Sequence, residues 1–162
     1  MNTPFHEQQK FTQGWLWLIV IGVLLLSLYG LYQQFIVGVP FGDQPMSNAE
    51  LALFSISMLS APALIAMMQL NTEIDNHEIR MAFVPFVKKR IRWDDIKQRE
   101  VVDYGFVGGW GIRPWTRYGT VYNTRGRHGL AIELRNGKKL LIGTQKIGEL
   151  TAFIKNCPHT AD

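Results

Sequence analysis

Two long uncharged stretches constrain this chain more than any other feature of its sequence. No Asp, Glu, Lys or Arg occurs in the 32 residues between Lys10 and Asp43, or in the 22 residues between Glu50 and Glu73. The hydrocarbon core of a bilayer is about 30 Å thick, and about 20 helical residues rising ~1.5 Å each cross it. The two stretches, joined by a short polar loop, therefore predict a transmembrane hairpin.

We predict the first helix over residues 14–35 and the second over residues 49–70. Aromatic side chains that prefer membrane interfaces bracket the first helix: Trp15, Trp17, Tyr29 and Tyr32. Residues 38–45 contain two prolines and two glycines, which is typical of a turn between antiparallel helices. Ser47 or Asn48 is expected to cap the second helix.

The hairpin itself carries few groups that do chemistry. Neither helix has an ionisable side chain in its central region, and ion pathways and proton relays in membranes normally need one. This argues against a transporter or channel built from this chain alone. Small side chains give the second helix a face suited to close packing: Ser55, Ser57, Ser60, Ala61, Ala63 and Ala66. That face would serve packing within the hairpin, which we favour, or contact between subunits.

The charged residues divide the chain and predict its orientation. Residues 73–162 hold 16 Lys or Arg against 10 Asp or Glu, whereas residues 38–45 hold no Lys or Arg. By the positive-inside rule, both termini are expected in the cytoplasm. The expected organisation is an N-terminal cytoplasmic segment, a hairpin, a cytoplasmic domain and a tail, over residues 1–13, 14–70, 71–157 and 158–162.

After the hairpin, the apolar period changes from that of a helix to that of strands. Alternation of apolar and polar residues, interrupted by turn residues, predicts seven strands: 68–74, 78–84, 87–93, 98–107, 118–123, 129–135 and 138–143. A final helix is expected after Thr144, with apolar residues at three- and four-residue spacings. The predicted fold class is α+β: a seven-stranded antiparallel, partly open barrel with a C-terminal helix over one end.

Three strings of sequence resemble the bacterial pleckstrin-homology-like (PH-like) domain. They are IRWDDI at 91–96, DYGFVGGWGIR at 103–113 and NGKKLLIGTQ at 136–145. The resemblance covers about residues 70–157, and small bacterial membrane proteins with two N-terminal helices before such a domain are similar over the full length. It implies a PH-like fold in the bacterial plasma (inner) membrane. It supplies no catalytic residues, and a fold does not dictate a function.

A glycine- and tryptophan-rich segment is the first candidate site. It consists of Gly108, Gly109, Trp110, Gly111, Arg113 and Trp115. The segment lacks the Lys-Ser/Thr of a phosphate-binding loop, so a nucleotide site is not expected. One interpretation is a loop that binds a ligand or partner, or dips into the membrane, because Trp favours interfaces. The other is structural, with Trp110 and Arg113 bracing the mouth of the barrel.

Two basic clusters are the second candidate. They comprise Lys88, Lys89, Arg90 and Arg92, and then Arg125 and Arg127. Such clusters would hold the domain against anionic lipid, or they would be solvated faces and protected strand edges. No helix that reads nucleic acid and no aromatic RNA-binding signature is present, so no nucleic-acid partner is expected.

Other reactive residues lack the partners that chemistry needs. Asp94 and Asp95 fit a turn better than an acid–base pair, and Cys157-Pro158-His159 has too few ligands for a metal. We therefore predict no catalytic residue, no metal site and no cofactor. The expected function is a non-catalytic, membrane-anchored scaffold that binds a protein partner or its own copies. The alternatives are a sensor of anionic lipid and an accessory subunit of a membrane enzyme or transporter.

Overall fold

The computed structural model describes residues 4–157, which fall into two units by their contacts. The helical unit is Thr12–Met67. The sheet unit combines the residues up to Phe11 with those from Met68 onward. The helical unit is therefore an insertion between two parts of the sheet unit.

The helical unit contains the two predicted apolar helices. Helix α1 covers Gly14–Leu31 and continues as a π-helical segment over Tyr32–Val37, and α2 covers Asn48–Met67. Both are long and apolar enough to cross a membrane. In the most apolar 18-residue stretch of each helical segment, only 17% and 11% is buried in protein. A core helix of a water-soluble protein would be mostly buried. Helix α2 ends before the predicted residue 70 because a strand begins at Gln69.

Helix α2 is held against the end of α1 by hydrogen bonds at the start of α2 and in the turn that precedes it. Ser47 Oγ accepts the Glu50 N–H at 3.3 Å, and the Glu50 carboxylate accepts the Ser47 N–H at 2.9 Å. This reciprocal pair is a capping box and confirms Ser47 as the cap. Gln34 Nε2 donates to Met46 O and to Asn48 Oδ1, both at 2.8 Å, so the turn is tied to the first helix.

Of the small residues expected to pack, Ser55 alone is buried within the part of the chain that the structure describes. It is 1% exposed, and Ser27 and Gly30 are buried on α1. The other five are exposed: Ser57, Ser60, Ala61, Ala63 and Ala66. Packing within the hairpin therefore uses one residue of that face.

The sheet unit begins with a strand that the sequence analysis missed. The first sheet consists of β1 Phe5–Lys10, β2 Gln69–Ile74, β3 Glu78–Val84 and β4 Val87–Arg92. They are ordered β1-β2-β3-β4, and all neighbours are antiparallel. In the first pair, Phe5 lies opposite Ile74 and Lys10 lies opposite Gln69. The two ends of the inserted hairpin thus leave from adjacent positions of one ladder.

The second sheet has five strands and one parallel pair. Its strands are β5 Ile96–Asp103, β6 Gly111–Thr116, β7 Gly119–Asn123, β8 His128–Leu134 and β9 Lys139–Thr144, ordered β5-β8-β9-β7-β6. Strands β7 and β9 run parallel. Gly119 permits their close approach: its φ is +75°, and a Cβ there would collide with the carbonyl oxygen of Lys139.

One apolar core joins both sheets and the last helix, α3 Ile147–Asn156. The core includes Leu70 and Phe83 from the first sheet, Leu130 from the second, and Leu150 from α3, each at most 2% exposed. A smaller cluster of Tyr104, Val121 and Leu141 lies outside this core. The segment between β5 and β7 contributes to it through Val107 and Tyr118, which pack on these residues.

The α+β class is confirmed, but the predicted seven-stranded antiparallel barrel is wrong in detail. Residues 4–157 contain nine strands in two sheets that do not close. Strand β1 was missed because its inward-facing residues include Glu7 and Gln9, so the apolar alternation is absent. Strand β6 was missed because Gly111 and Pro114 are typical of a loop.

Joining β1 directly to β2 should release the sheet unit from the hairpin. Because Lys10 and Gln69 are paired, an Asn-Gly turn between them matches an antiparallel hairpin. We expect this bridged fragment to be monomeric in detergent-free buffer and to unfold cooperatively, as measured by size-exclusion chromatography and calorimetry. A matched fragment that starts at Met68 exposes the edge of β2 and should aggregate. Equal behaviour of the two fragments would show that β1 is dispensable.

Candidate interaction surfaces

The predicted loop of glycines and tryptophans consists of a tight turn followed by an edge strand. Gly108, Gly109 and Gly111 have φ values of +81°, +131° and +106°, which favour glycine. Trp110 stands edge-on to Phe106, with ring centroids 6.4 Å apart. From Gly111 onward the chain is β6, which pairs with β7 alone, so the rest of the predicted loop lies on the rim of the second sheet.

Buried hydrogen bonds fix this turn to β7. Asn123 Nδ2 donates to the Tyr104 hydroxyl at 3.1 Å and to the carbonyl of Gly109 at 3.5 Å. The Tyr104 hydroxyl donates to the carbonyl of Gly126 at 3.2 Å. Burial raises the pKa of Tyr104, so the phenol keeps the proton that it donates. The turn is held by groups that the sequence analysis did not single out.

The residues of the predicted loop divide into supporting and projecting side chains. The Arg113 guanidinium lies against Gly109, where a Cβ would collide with it. Trp115 points away from the protein and is 97% exposed, and Phe106 is 77% exposed. Trp115 has φ +58°, a left-handed conformation that costs a residue with a Cβ about 1–2 kcal/mol. The backbone thus holds one of the largest apolar side chains in water.

The first basic cluster lies on β4, an edge strand of the first sheet. The outward-facing side chains of this strand are Lys88, Arg90 and Arg92, which alternate with residues that face inward. Lys89 is on the inward side, where its Nζ lies 5.3 Å from the centroid of the Tyr122 ring. Arg92 Nη2 pairs with the Asp94 carboxylate at 3.1 Å. Lys88 and Arg90 are therefore the members best placed to meet a charged partner.

The second basic cluster lies in the connection from β7 to β8 and is partly neutralised. Arg127 Nη2 lies 2.8 Å from Asp103 Oδ2, and Arg127 Nε donates to Asp103 Oδ1 at 2.8 Å. This two-point contact lowers the pKa of Asp103 and raises the pKa of Arg127. Arg125 is exposed. The structure thus places the two clusters on different sheets, and Arg92 and Arg127 each pair with a carboxylate.

The remaining sequence candidates take part in turns. Asp94 and Asp95 form a short 3₁₀ segment whose carbonyls accept hydrogen bonds from Arg135 at 2.8 and 2.9 Å. Cys157 is buried, and Pro158 and His159 lie outside the described residues. Over residues 4–157, no three His, Cys, Asp or Glu side chains are grouped to hold a metal ion.

A groove that the sequence did not predict lies on the outer side of the second sheet. This outer groove has a volume of about 230 Å³, and Val102, Ala131 and Leu140 contribute apolar surface. Ile132 also lines it, together with polar and charged side chains: Gln98, Glu100, Arg117, Tyr118, Glu133 and Lys139. Lys97 and Lys139 lie 2.7 and 3.2 Å from the Glu133 carboxylate and lower its pKa. The groove thus combines apolar surface with charges of both signs.

A buried polar network attaches β1 to the second sheet. Glu7 and Gln9 are 3% and 2% exposed. The Thr144 hydroxyl and the Gln145 N–H donate to the two oxygens of Glu7 at 2.6 and 2.7 Å. Gln9 Nε2 donates to the Gly143 carbonyl at 2.8 Å, and its oxygen accepts from Thr124 at 3.1 Å. This polar clasp makes β1 part of the core rather than a loose terminus.

Comparison with known proteins leaves the family open. A scan against protein-family models finds no match for this chain, and a search of curated proteins finds no match either. The PH-like resemblance thus rests on the sequence strings.

The pairing of Asp103 with Arg127 predicts a pH dependence of stability. Because the pKa of Asp103 is lowered in the folded state, its stabilisation is present above the unfolded pKa of about 4 and is lost as the pH falls through the folded pKa. We expect D103N to lower the thermal midpoint of the bridged fragment near pH 7, and the gap to the unsubstituted fragment to narrow as the pH falls below about 4. A gap that persists in acid would show that the pair contributes no charge-dependent stability.

Proposed function

We propose that this chain is a membrane-anchored, non-catalytic interaction protein. Helices α1 and α2 cross a bilayer as a hairpin, and the sheet unit lies in the aqueous phase and binds a protein partner. The observation that carries the proposal is the exposure of the two helices: Leu18 and Leu53, among many apolar residues, are 72% and 71% exposed. Such continuous apolar surface is stable in lipid and unfavourable in water.

The register of the first sheet supports an even number of crossings. Strand β1 precedes the hairpin, strand β2 follows it, and Lys10 pairs with Gln69. Two strands of one ladder must lie on the same side of a membrane, which a two-helix hairpin satisfies and a single crossing does not. The even number of crossings follows from the strand register alone, whatever the distribution of charge.

The side on which the sheet unit lies is proposed from charge and from resemblance. Lys and Arg exceed Asp and Glu in residues 73–162, and the turn between the helices has no Lys or Arg. The positive-inside rule then favours a cytoplasmic sheet unit with both termini in the cytoplasm. The PH-like resemblance further supports a location in the bacterial inner membrane and a PH-like origin for the two sheets.

The outer groove is the surface best suited to a protein partner. Its apolar lining would bury side chains of the partner, and Glu100 and Lys139 offer charges of opposite sign. A mixed rim suits another protein surface, because protein interfaces combine an apolar centre with complementary polar groups. A uniformly anionic surface would meet Glu100 and Glu133 unfavourably.

One observation favours the lipid-sensing alternative. Lys88 and Arg90 point outward from β4, and neither has a described ion pair. Each Lys or Arg near an anionic surface contributes about 1 kcal/mol of attraction. A bilayer contact through β4 would be compatible with a protein partner in the outer groove, since the two surfaces lie on different sheets.

Single-cysteine accessibility tests the proposed topology in intact membranes. D43C lies in the turn between the helices and N136C lies in the β8–β9 turn, and both native side chains are exposed. An impermeant maleimide added to spheroplasts should label D43C but not N136C, and lysis should expose N136C. Native Cys157 is buried and supplies the unreactive background. Labelling of both positions before lysis, or release of the protein by alkaline carbonate, would contradict the membrane hairpin.

Photo-crosslinking tests the outer groove as a protein-binding site. A photoreactive residue replaces Gln98 in the groove, and the matched control replaces Gln8 on the outward face of the first sheet. We expect one discrete adduct in native membranes from position 98 and none from position 8. Mass spectrometry of the adduct would distinguish a second copy, a separate partner and a membrane enzyme or transporter. Identical patterns from both positions would contradict a specific site.

A further inference from the structure

The rim of the second sheet exposes more apolar surface than any other part of the sheet unit that the structure describes. Trp115 and Phe106 are 97% and 77% exposed, whereas the next large apolar side chain in this unit, Phe86, is 54% exposed. Trp110 packs edge-on against Phe106. We name the set of Phe106, Trp110 and Trp115 the aromatic edge.

The fold keeps Trp115 in this outward position. The Thr116 hydroxyl donates to the Gly119 carbonyl at 2.8 Å and accepts the Tyr118 N–H at 3.1 Å, which closes the turn directly after Trp115. The ladder between β6 and β7 is interrupted between Arg113 and Thr116, so the Trp115 backbone leaves the regular strand. Its positive φ then directs the ring away from the sheet.

The aromatic edge is poorly suited to accept another β-strand. Strand β6 has one free edge, which would otherwise offer backbone groups for pairing. Pro114 has no N–H, and the register shift beside it breaks the regular spacing that an added strand needs. Contact at this rim must therefore be made by side chains.

The segment that carries the aromatic edge has charges of one sign. Residues 104–119 contain Arg113 and Arg117 and no Asp or Glu. Arg117 is exposed, and its guanidinium lies 4.7 Å from the centroid of the Tyr118 ring. Tryptophan with flanking arginine is the combination favoured in the headgroup layer of a bilayer. Arg117 also lines the outer groove, where Glu100 and Glu133 add negative charge.

Only short connections join the first sheet to the two helices. Strand β1 ends at Lys10 and α1 begins at Gly14, whereas α2 ends at Met67 and β2 begins at Gln69. If the helices cross a membrane, as proposed above, two very short connections tether the sheet unit to it. We propose that the aromatic edge inserts into the headgroup layer of that membrane, with Trp115 as the leading side chain and Arg117 contacting anionic lipid.

Environment-sensitive labels in the full chain test this insertion. W115C and the control N76C, which lies in the exposed β2–β3 turn, are each labelled with a polarity-sensitive fluorophore and reconstituted in nanodiscs with and without phosphatidylglycerol. We expect the label at position 115 to shift to the blue and to be quenched by a headgroup-attached nitroxide lipid, more strongly when anionic lipid is present. The label at position 76 should report water in both, because the β2–β3 turn lies at the opposite end of the ladder from Lys10 and Gln69, where the hairpin leaves.

The failures of the two proposals are distinguishable. If the chain does not enter nanodiscs, the membrane hairpin fails. If it enters and the label at 115 emits as in water, or shifts without nitroxide quenching, the insertion of the aromatic edge is wrong while the hairpin stands. As a second measurement, brominated lipid should quench the tryptophan emission of the unlabelled protein more than that of W115F, and equal quenching would overturn the inference.

Discussion

The pairing of β1 with β2 is the constraint on which the rest of this structure depends. These strands are adjacent in the ladder but separated by the whole helical unit, because Lys10 lies opposite Gln69. Closure of a long connection costs little more than closure of a short one, about 0.6 kcal/mol for each doubling of length. An antiparallel helical hairpin also returns its own ends to one side. A long apolar insertion is therefore compatible with an intact sheet. Any membrane topology must keep β1 and β2 paired on the same side of the membrane.

The polar clasp explains why a strand with so little apolar character belongs to the core. Glu7 and Gln9 face inward, and burial without partners would cost several kcal/mol for the carboxylate alone. Instead, the Thr144 hydroxyl and the Gln145 N–H satisfy Glu7, and the Gly143 carbonyl and Thr124 satisfy Gln9. The donors and acceptors come from the end of β9 and the β7–β8 connection. Such a network specifies one position of β1, because a shifted register would leave buried polar groups unpaired.

The sequence predicted those elements whose residues carry a local signal. Long uncharged stretches predicted α1 and α2, and alternation predicted the strands from Gln69 onward, apart from β6, to within a few residues. Strand β1 was not predictable in this way, because Glu7 and Gln9 are stabilised by residues more than one hundred positions away. The outer groove was missed for the same reason, since its lining comes from separate strands. At the predicted loop, Trp110 and Trp115 were identified, but their different exposures depend on the turn and on β6.

The segment between β5 and β7 gives the second sheet two outward surfaces of different chemistry. Tyr118 and Val107 pack on the cluster that contains Leu141, which is fully buried although it lies outside the main core. Beside this cover lies the outer groove, where acidic and basic side chains meet. At its rim the same segment presents the exposed Trp115, and its sequence contains two arginines and no carboxylate. The rim with Trp115 favours a bilayer, whereas the outer groove favours a protein. Because the segment between β5 and β7 contributes to both surfaces, it would allow simultaneous contact with a bilayer and a protein partner.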